Sequence, residues 1–171
     1  MNKEPYKTVS ILQDIITYTL IDANKKNISL HVDVDEMLPL ELSGDMLRLM
    51  QVINNLVSNA IKYTEQGFVS IRVRWMATDA STGLLKVEVE DTGIGIKEEH
   101  ISQIDSRFYG RDKDREQYVQ GMGLGLSIVT KLLELMGSRL VIQSEVGKGT
   151  EVVIRIPTKQ QKSVKEKSTE E

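Results

Sequence analysis

The most constraining feature of this sequence is the stretch Glu-Asp-Thr-Gly-Ile-Gly-Ile at residues 90–96, which ends a strictly alternating segment. Leu85, Val87 and Val89 are apolar and the residues between them are charged, a pattern typical of a half-buried β-strand. Asp91 falls on the apolar side of this alternation, so the pattern predicts a carboxylate that faces the core. Because a buried carboxylate without a partner is costly, we expect another group or a ligand to contact it.

The residues that follow Asp91 indicate what such a ligand would be. Gly93 and Gly95 allow a close approach to the backbone, and Ile94 and Ile96 offer an apolar wall. An acceptor at the bottom of an apolar slot suits a flat heterocycle with an exocyclic amine, such as adenine. An ordinary turn after a strand explains the same stretch equally well, because Asp, Thr and Gly are common turn residues.

Composition restricts the classes of function. The chain has 171 residues, of which 40% are hydrophobic and 27% charged, as in a soluble globular protein. Its net charge of −3 gives no indication of nucleic acid or a membrane surface as a partner. The absence of cysteine and the presence of only two histidines, His31 and His100, argue against a Cys-ligated or multi-histidine metal site. No apolar run reaches membrane-spanning length, so we expect no membrane insertion of this segment.

A long, largely apolar helix is predicted from about residue 45 to residue 63, with Asp45 among the candidates for its N-cap. One polar stripe interrupts it: Asn55, Asn59 and Lys62 lie within about 60° of one another around the axis. A solvent-facing stripe is the ordinary explanation. Asparagine is a poor helix former, however, and amide oxygens beside an ammonium group suit a magnesium–triphosphate.

A glycine-rich stretch contains Gly121, Gly123 and Gly125, interleaved with Met122 and Leu124, and opens another apolar helix. Backbone N–H groups at a helix N-terminus, made approachable by glycine, form an anion site. A flexible hinge is the alternative, because the preceding residues carry many charges and few large apolar groups. We expect residues 105–122 to form a lid.

The remaining patterns predict the architecture. Residues 147–150 are predicted to form a hairpin turn, with Thr150 facing inward at the start of the last strand. The predicted order is helix, strand, helix, strand, strand, lid, helix, strand, strand. It favours an α/β (α+β) fold: a two-layer sandwich whose helices cover one face of a mixed, mostly antiparallel sheet. The predicted domain spans residues 8–157, between a disordered start at 1–7 and a disordered charged tail at 158–171.

Four motifs, in this order, resemble the catalytic and ATP-binding domain of bacterial-type sensor histidine kinases. That domain belongs to an ATPase superfamily shared with gyrase B, the ninety-kilodalton heat-shock chaperones and the mismatch-repair ATPases. The resemblance covers roughly residues 8–157. The motifs are Asn55-Leu-Val-Ser-Asn59-Ala-Ile-Lys62-Tyr63-Thr64, Asp91-Thr-Gly93-Ile94-Gly95-Ile96, Gly121-Met-Gly123-Leu124-Gly125-Leu126 and Gly147-Lys-Gly149-Thr150.

The resemblance implies ATP and Mg²⁺ as cofactors. Asp91 would accept a hydrogen bond from the adenine amine, Thr150 would support the adenine site, and Tyr63 would pack near the base. Asn59 would coordinate Mg²⁺ with Asn55 beside it.

The phosphates would be bound from two other directions. Lys62 would approach a phosphate group, and the backbone at 123–126 would face the phosphates.

The resemblance also implies phosphotransfer. Asn55 stands where the gyrase and chaperone branch carries a glutamate general base, so ATP hydrolysis should be poor. The γ-phosphoryl group would instead pass to a histidine on a separate dimerisation hairpin, and indirectly to a response regulator. We expect the hairpin to lie outside this chain, which would be the cytoplasmic portion of a larger sensor. His31 on a sheet face and His100 in an exposed, charged segment are not expected to accept phosphate.

One residue departs from the family pattern. Asp105 replaces the first phenylalanine of the usual Phe-x-x-Phe-Tyr sequence, of which Phe108 and Tyr109 remain. This departure keeps an alternative open, a degenerate module that binds nucleotide and docks without phosphotransfer.

Overall fold

The computed structural model describes residues 4–104 and 126–160. In these residues seven strands form one sheet in the order β1-β3-β7-β5-β4-β2, and β6 pairs with the first part of β7. The helices are α1 (Thr8–Lys25), α2 (Met46–Lys62), α3 (Glu98–Ile104) and α4 (Leu126–Leu135). The strands are β1 (Glu4–Lys7), β2 (Ser29–Val34), β3 (Glu41–Gly44), β4 (Phe68–Ala77), β5 (Thr82–Asp91), β6 (Val141–Glu145) and β7 (Gly149–Gln160).

The sheet is mostly antiparallel and has one face toward the helices. Among the described residues, β2 and β4 form the only parallel pair. Alternate residues of β4 and β5 enter the core with the apolar side of α2, whereas Arg72, on the other face, forms salt bridges with carboxylates of β5 and β7. This arrangement confirms the predicted two-layer fold. The predicted lid lies outside the described residues.

Helix α2 begins and ends close to the predicted limits. Asp45 is its N-cap, because the Asp45 carboxylate accepts a hydrogen bond from the backbone N–H of Arg48 at 3.2 Å. At the other end, the ammonium of Lys26 donates to the carbonyls of Ile61 and Lys62, at 2.8 and 3.1 Å. Both helix ends therefore have partners for backbone groups that the helix itself leaves unpaired.

Two predicted boundaries were wrong. Residues 4–7 form β1, and its Tyr6 packs into the core with only 8% of its surface exposed. At the other end β7 continues to Gln160, because its last residues pair with β3 and the Thr158 hydroxyl donates to the Ser43 carbonyl at 2.8 Å. Strand β1 and the end of β7 are both held by pairing with β3, which is distant in sequence, so local alternation does not reveal them. No helix within the described residues is long and apolar enough to span a bilayer.

Candidate functional site

A cavity of about 420 Å³ lies where β5 ends and β7 begins, on the helix side of the sheet. Helix α2 forms one wall, the segment after Asp91 forms another, and Leu126 contributes from the start of α4. Most of the lining is apolar, and the polar side chains reach it at only a few points. The lining residues are Leu56, Asn59, Ala60, Tyr63, Val89, Asp91, Ile94, Gly95, Ile96, Lys97, His100, Leu126, Ile142, Thr150 and Val152.

The Asp91 carboxylate lies on the wall of this cavity, and a hydrogen bond to the backbone fixes its orientation. Its Oδ1 accepts a hydrogen bond from the backbone N–H of Gly93 at 2.8 Å. Burial raises the pKa of Asp91, although the backbone N–H groups of Gly93 and Thr150 oppose that shift by stabilising the carboxylate, and the nearby Glu90 adds to it. The site therefore holds a hydrogen-bond acceptor that a donor from a ligand would stabilise.

Glycine is required at three positions beside Asp91, namely Gly93, Gly95 and Gly149, because neighbouring backbone comes too close for a side chain. A Cβ atom on Gly149, where φ is +132°, would overlap the carbonyl oxygen of Asp91 itself. A Cβ on Gly95, where φ is +76°, would overlap the carbonyl of Glu145. The two glycine motifs therefore interlock, and the β6–β7 hairpin holds the segment after Asp91 in place.

Ser144 connects the same two segments and was not identified from the sequence. Its hydroxyl oxygen accepts from the N–H of Ile96 at 2.8 Å and lies 2.9 Å from the carbonyl of Gly149 and 2.8 Å from the hydroxyl of Thr150. When the single Ser144 proton is donated to Gly149, the Thr150 hydroxyl donates to Ser144 and keeps its lone pairs for another donor. A serine in an alternating strand carries no signal of this role, since only the fold brings Ile96 beside it.

The structure brings together eight of the residues that the sequence indicated. Asn55 is half-buried on α2 without lining the cavity, and Lys62 is exposed with its ammonium 5.3 Å from the centre of the Tyr63 ring. Gly93 supports the cavity through Asp91 without lining it. Gly121, Gly123, Leu124 and Gly125 lie outside the described residues. The eight that line the cavity are Asn59, Tyr63, Asp91, Ile94, Gly95, Ile96, Leu126 and Thr150.

The position of His100 corrects an expectation. The sequence placed it in an exposed segment, yet it lies half-buried in α3 and lines the cavity. The short helix α3 turns this side chain inward, and a charged local sequence does not reveal that orientation. His31, by contrast, is exposed on the sheet as expected and stacks on Phe68 with the ring centres 5.0 Å apart.

A larger cavity of about 710 Å³ lies at the opposite end of β5. Gly83 and Leu84 line it together with Tyr6, whose pKa burial raises to about 12. None of the four motifs contributes to this cavity, and its one lining carboxylate, Asp45, caps α2. The polar side chains that the motifs contribute to a cavity therefore converge at the smaller one.

Known proteins resemble this chain in sequence over most of its length. The family described as "Histidine kinase-, DNA gyrase B-, and HSP90-like ATPase" matches residues 44–160. Hybrid signal transduction histidine kinase B of Dictyostelium discoideum is 35% identical over 155 residues, which cover 91% of this chain and 8% of that protein. Sensor protein GacS of Pseudomonas syringae pv. syringae is 35% identical over 164 residues, covering 96% of this chain and 18% of that protein. The chain thus spans less than a fifth of the length of either relative.

A solved structure is also similar. Full-length ShkA in complex with AMPPNP matches with a TM-score of 0.75 at 27% identity, over 95% of this chain and 32% of the ShkA chain. The order of helices and strands described above is therefore shared with a region of a larger protein.

Proposed function

The chain belongs to the histidine kinase-, DNA gyrase B- and HSP90-like ATPase family, and we propose that it binds Mg-ATP at the Asp91 cavity and donates the γ-phosphoryl group to a histidine on a separate dimerisation hairpin. The observation that carries this proposal is the half-buried Asp91 carboxylate on the wall of an apolar cavity. The relatives of this chain are sensor histidine kinases, which supports the same proposal. We further propose that the chain acts as the cytoplasmic catalytic portion of a sensor and signals indirectly to a response regulator.

Adenine fits the end of the cavity at Asp91. The carboxylate would accept a hydrogen bond from the exocyclic amine, and the Thr150 hydroxyl would offer a second acceptor. Ile94, Ile96 and Val152 supply apolar surface for the faces and edge of the base. The similar ShkA structure is a complex with AMPPNP, an adenine nucleotide, which supports the same ligand class here.

Asn59 is the proposed Mg²⁺ ligand. Its amide lies on the cavity wall, one helical turn from Tyr63, and an amide oxygen is a suitable ligand for this ion. No group of three or more His, Cys, Asp or Glu side chains that could hold a metal occurs among residues 4–104 and 126–160. Magnesium commonly binds through one or two protein oxygens and the substrate phosphates, so a single protein ligand is compatible with it. When bound, Mg²⁺ would neutralise charge on the phosphates.

Asn55 and Lys62 are proposed to act at the phosphate end. Lys62 is exposed on the last turn of α2, so its ammonium is free to turn from the Tyr63 ring toward a phosphate. Asn55 cannot take a proton from water, and therefore the chain would hold the γ-phosphoryl group for an external nucleophile. The backbone of residues 121–126 is proposed to bind the phosphates from the other side.

A second candidate function, ATP hydrolysis, is favoured by one observation. His100 supplies an imidazole to the cavity wall, and imidazole is the commonest general base in enzymes. A third candidate is a module that binds nucleotide without transferring phosphate.

Two assays separate these functions. Incubation of the chain with radiolabelled ATP and Mg²⁺ should label an added cognate hairpin on histidine, while phosphate release by the chain alone stays very slow. Fast release that His100→Ala abolishes would establish the hydrolytic candidate instead. Nucleotide binding without label on the hairpin would establish the binding module.

A further inference from the structure

Strand β2 is the outer strand of the sheet, and its free edge is self-complementary. We propose that this edge, together with one side of α1, binds a second copy of the chain, so that two sheets join across a two-fold axis at Val32. Within the described part of the chain, β2 pairs only with β4. A row of backbone N–H and C=O groups is therefore available to a further strand.

The hydrogen bonds to β4 show which β2 residues point outward. The N–H of Ser29 donates to Gly67 at 3.1 Å, and the N–H of Asp35 donates to Val73 at 2.9 Å. Because successive residues of a strand point in opposite directions, the backbone groups of Leu30, Val32 and Val34 face the free edge. An antiparallel partner must place its own outward-facing residues opposite these.

The side chains along the edge are apolar on the helix side. Val32 and Val34 are each 37% exposed, although their partners in β4, Ile71 and Val73, are buried. Their exposure arises because, among residues 4–104 and 126–160, no strand lies on the outer side of β2. A second β2 in the same sheet would bury this surface.

Helix α1 extends the same apolar surface. Its side toward α2 carries Tyr18 and Asp22, which line a cleft with that helix. Around the opposite side, the positions 9, 12, 16 and 20 lie within roughly 80° of one another. Their side chains are Val, Leu, Ile and Leu, and the first and last are 51% and 45% exposed. The two exposed members of this stripe, Val9 and Leu20, would meet α1 of the second copy, because α1 packs on β2 next to the free edge.

The polar side chains of β2 favour one of the registers in which outward-facing residues lie opposite each other, because an imidazole N–H can donate to a carboxylate. With Val32 opposite Val32 of the second copy, Leu30 faces Val34, and the imidazole of His31 faces the Asp33 carboxylate. A shift that pairs Leu30 with Val32 would instead place His31 opposite His31. The Asp33 carboxylate is 64% exposed, so it is accessible to a second partner besides Arg74, with which it already pairs. An unrelated extended peptide has no reason to reproduce this pattern, which a second copy supplies by symmetry.

Cysteine cross-linking tests the register, since the chain contains no cysteine of its own. Val32→Cys places two thiols opposite each other at the axis, about 5.5 Å apart between Cα atoms, within the range of a disulfide. Val34→Cys is the matched control, because its symmetry mate lies four residues along the strand, about 13 Å away. Under mild oxidation we expect a covalent dimer of Val32→Cys and none of Val34→Cys. No dimer of Val32→Cys, or equal dimers of both, would overturn the proposal.

Sedimentation equilibrium of the full chain tests the interface without a covalent bond. Val32→Lys brings two ammonium groups together at the axis and should weaken the dimer at least tenfold, whereas Leu47→Lys, a change on exposed α2 surface, should not. His31→Asp should also weaken it, and His31→Lys should preserve it. None of these residues lines the Asp91 cavity, so AMPPNP binding should be unchanged in all four variants. A wild-type chain that stays monomeric at millimolar concentration, or that binds a foreign strand peptide but not itself, would overturn the proposal.

Discussion

Asp91 combines two requirements that oppose each other. Burial disfavours its charged form, so its pKa is raised, yet a carboxylate is the stronger acceptor for the amine of adenine. The backbone N–H groups of Gly93 and Thr150 reduce this cost by donating to the carboxylate. A donor from the proposed nucleotide would offset the part of this cost that remains in the empty domain.

Ser144 gives a prediction at the scale of a single side chain. In Ser144→Ala the N–H of Ile96 loses its acceptor and the Thr150 hydroxyl loses a partner, which should destabilise the domain by about 1–2 kcal/mol. Nucleotide affinity should fall several-fold, because Ile96 and Thr150 both line the cavity. Urea unfolding and calorimetric titration with Mg-AMPPNP measure the two effects.

The matched control is Ser138→Ala. The Ser138 hydroxyl also donates to a backbone carbonyl, that of Arg155 at 2.6 Å, but this bond is exposed and lies outside the Asp91 cavity. We expect a change in unfolding free energy within about 0.5 kcal/mol and no change in affinity. Equal effects of the two substitutions on binding would contradict the role assigned to Ser144.

At the scale of elements, the β6–β7 hairpin supports the site through close backbone packing. Gly147 and Gly149 both have positive φ, but a Cβ would meet open space at Gly147 and the Asp91 carbonyl at Gly149. Gly147→Ala should therefore cost only the backbone strain, about 1–2 kcal/mol. Gly149→Ala should cost at least about 1 kcal/mol more and weaken Mg-AMPPNP binding. Chemical unfolding of both variants is the measurement, and equal costs would show that the packing against Asp91 is unimportant.

The elements also show how far the sequence predicts the fold. Helix α2 was predicted almost to its last residue, because its apolar periodicity is strong and Asp45 is an N-cap residue. Helix α1 was predicted as the first helix of the chain. Its buried side includes two threonines, Thr8 and Thr19, which an apolar periodicity does not reveal. Each of these threonine hydroxyls donates to a backbone carbonyl, at 2.8 and 2.6 Å, which removes the usual cost of burying it.

The site was predictable where local pattern places a residue, and not where distant segments meet. Alternation alone put Asp91 and Thr150 on the inner side of their strands, and both line the cavity. The roles of Ser144 and His100 depend on contacts between segments about 40 to 50 residues apart, such as the Ser144–Ile96 bond. A helical stripe likewise grouped Asn55 with Asn59, although only Asn59 lines the cavity.

At the scale of the whole molecule, the sheet presents the ends of β5 and β7 to a cavity that the helices close on one side. Asp91 lies at the centre of that arrangement, so its substitution tests the proposed nucleotide site as a whole. Asp91→Asn keeps the side-chain shape and an oxygen that can accept from Gly93, but its amide can present a donor to the adenine amine. Loss of one charge-assisted bond should weaken binding by about 1.5–3 kcal/mol, roughly 10- to 100-fold.

Asp91→Asn should weaken nucleotide binding, but it should raise the stability of the empty protein or leave it unchanged. The pKa of Asp91 is higher in the folded chain than in the unfolded chain, so protonation of Asp91 favours folding. This contribution to stability is fully present at pH values below the pKa of Asp91 in the unfolded chain. It is lost as the pH rises through the pKa of Asp91 in the folded chain. Asparagine does not ionise, so the empty Asp91→Asn variant should be at least as stable as wild type at pH 7, and any advantage should shrink as the pH falls through that range.

The most direct test is calorimetric titration of Mg-AMPPNP into the wild-type chain and into Asp91→Asn at pH 7, with thermal unfolding of both empty proteins as the control for folding. We expect one site per wild-type chain, a 10- to 100-fold weaker site in the variant, and no loss of stability in the variant. Equal affinity in two folded proteins, or no binding to the wild-type chain, would contradict the assignment of this cavity to adenine nucleotides.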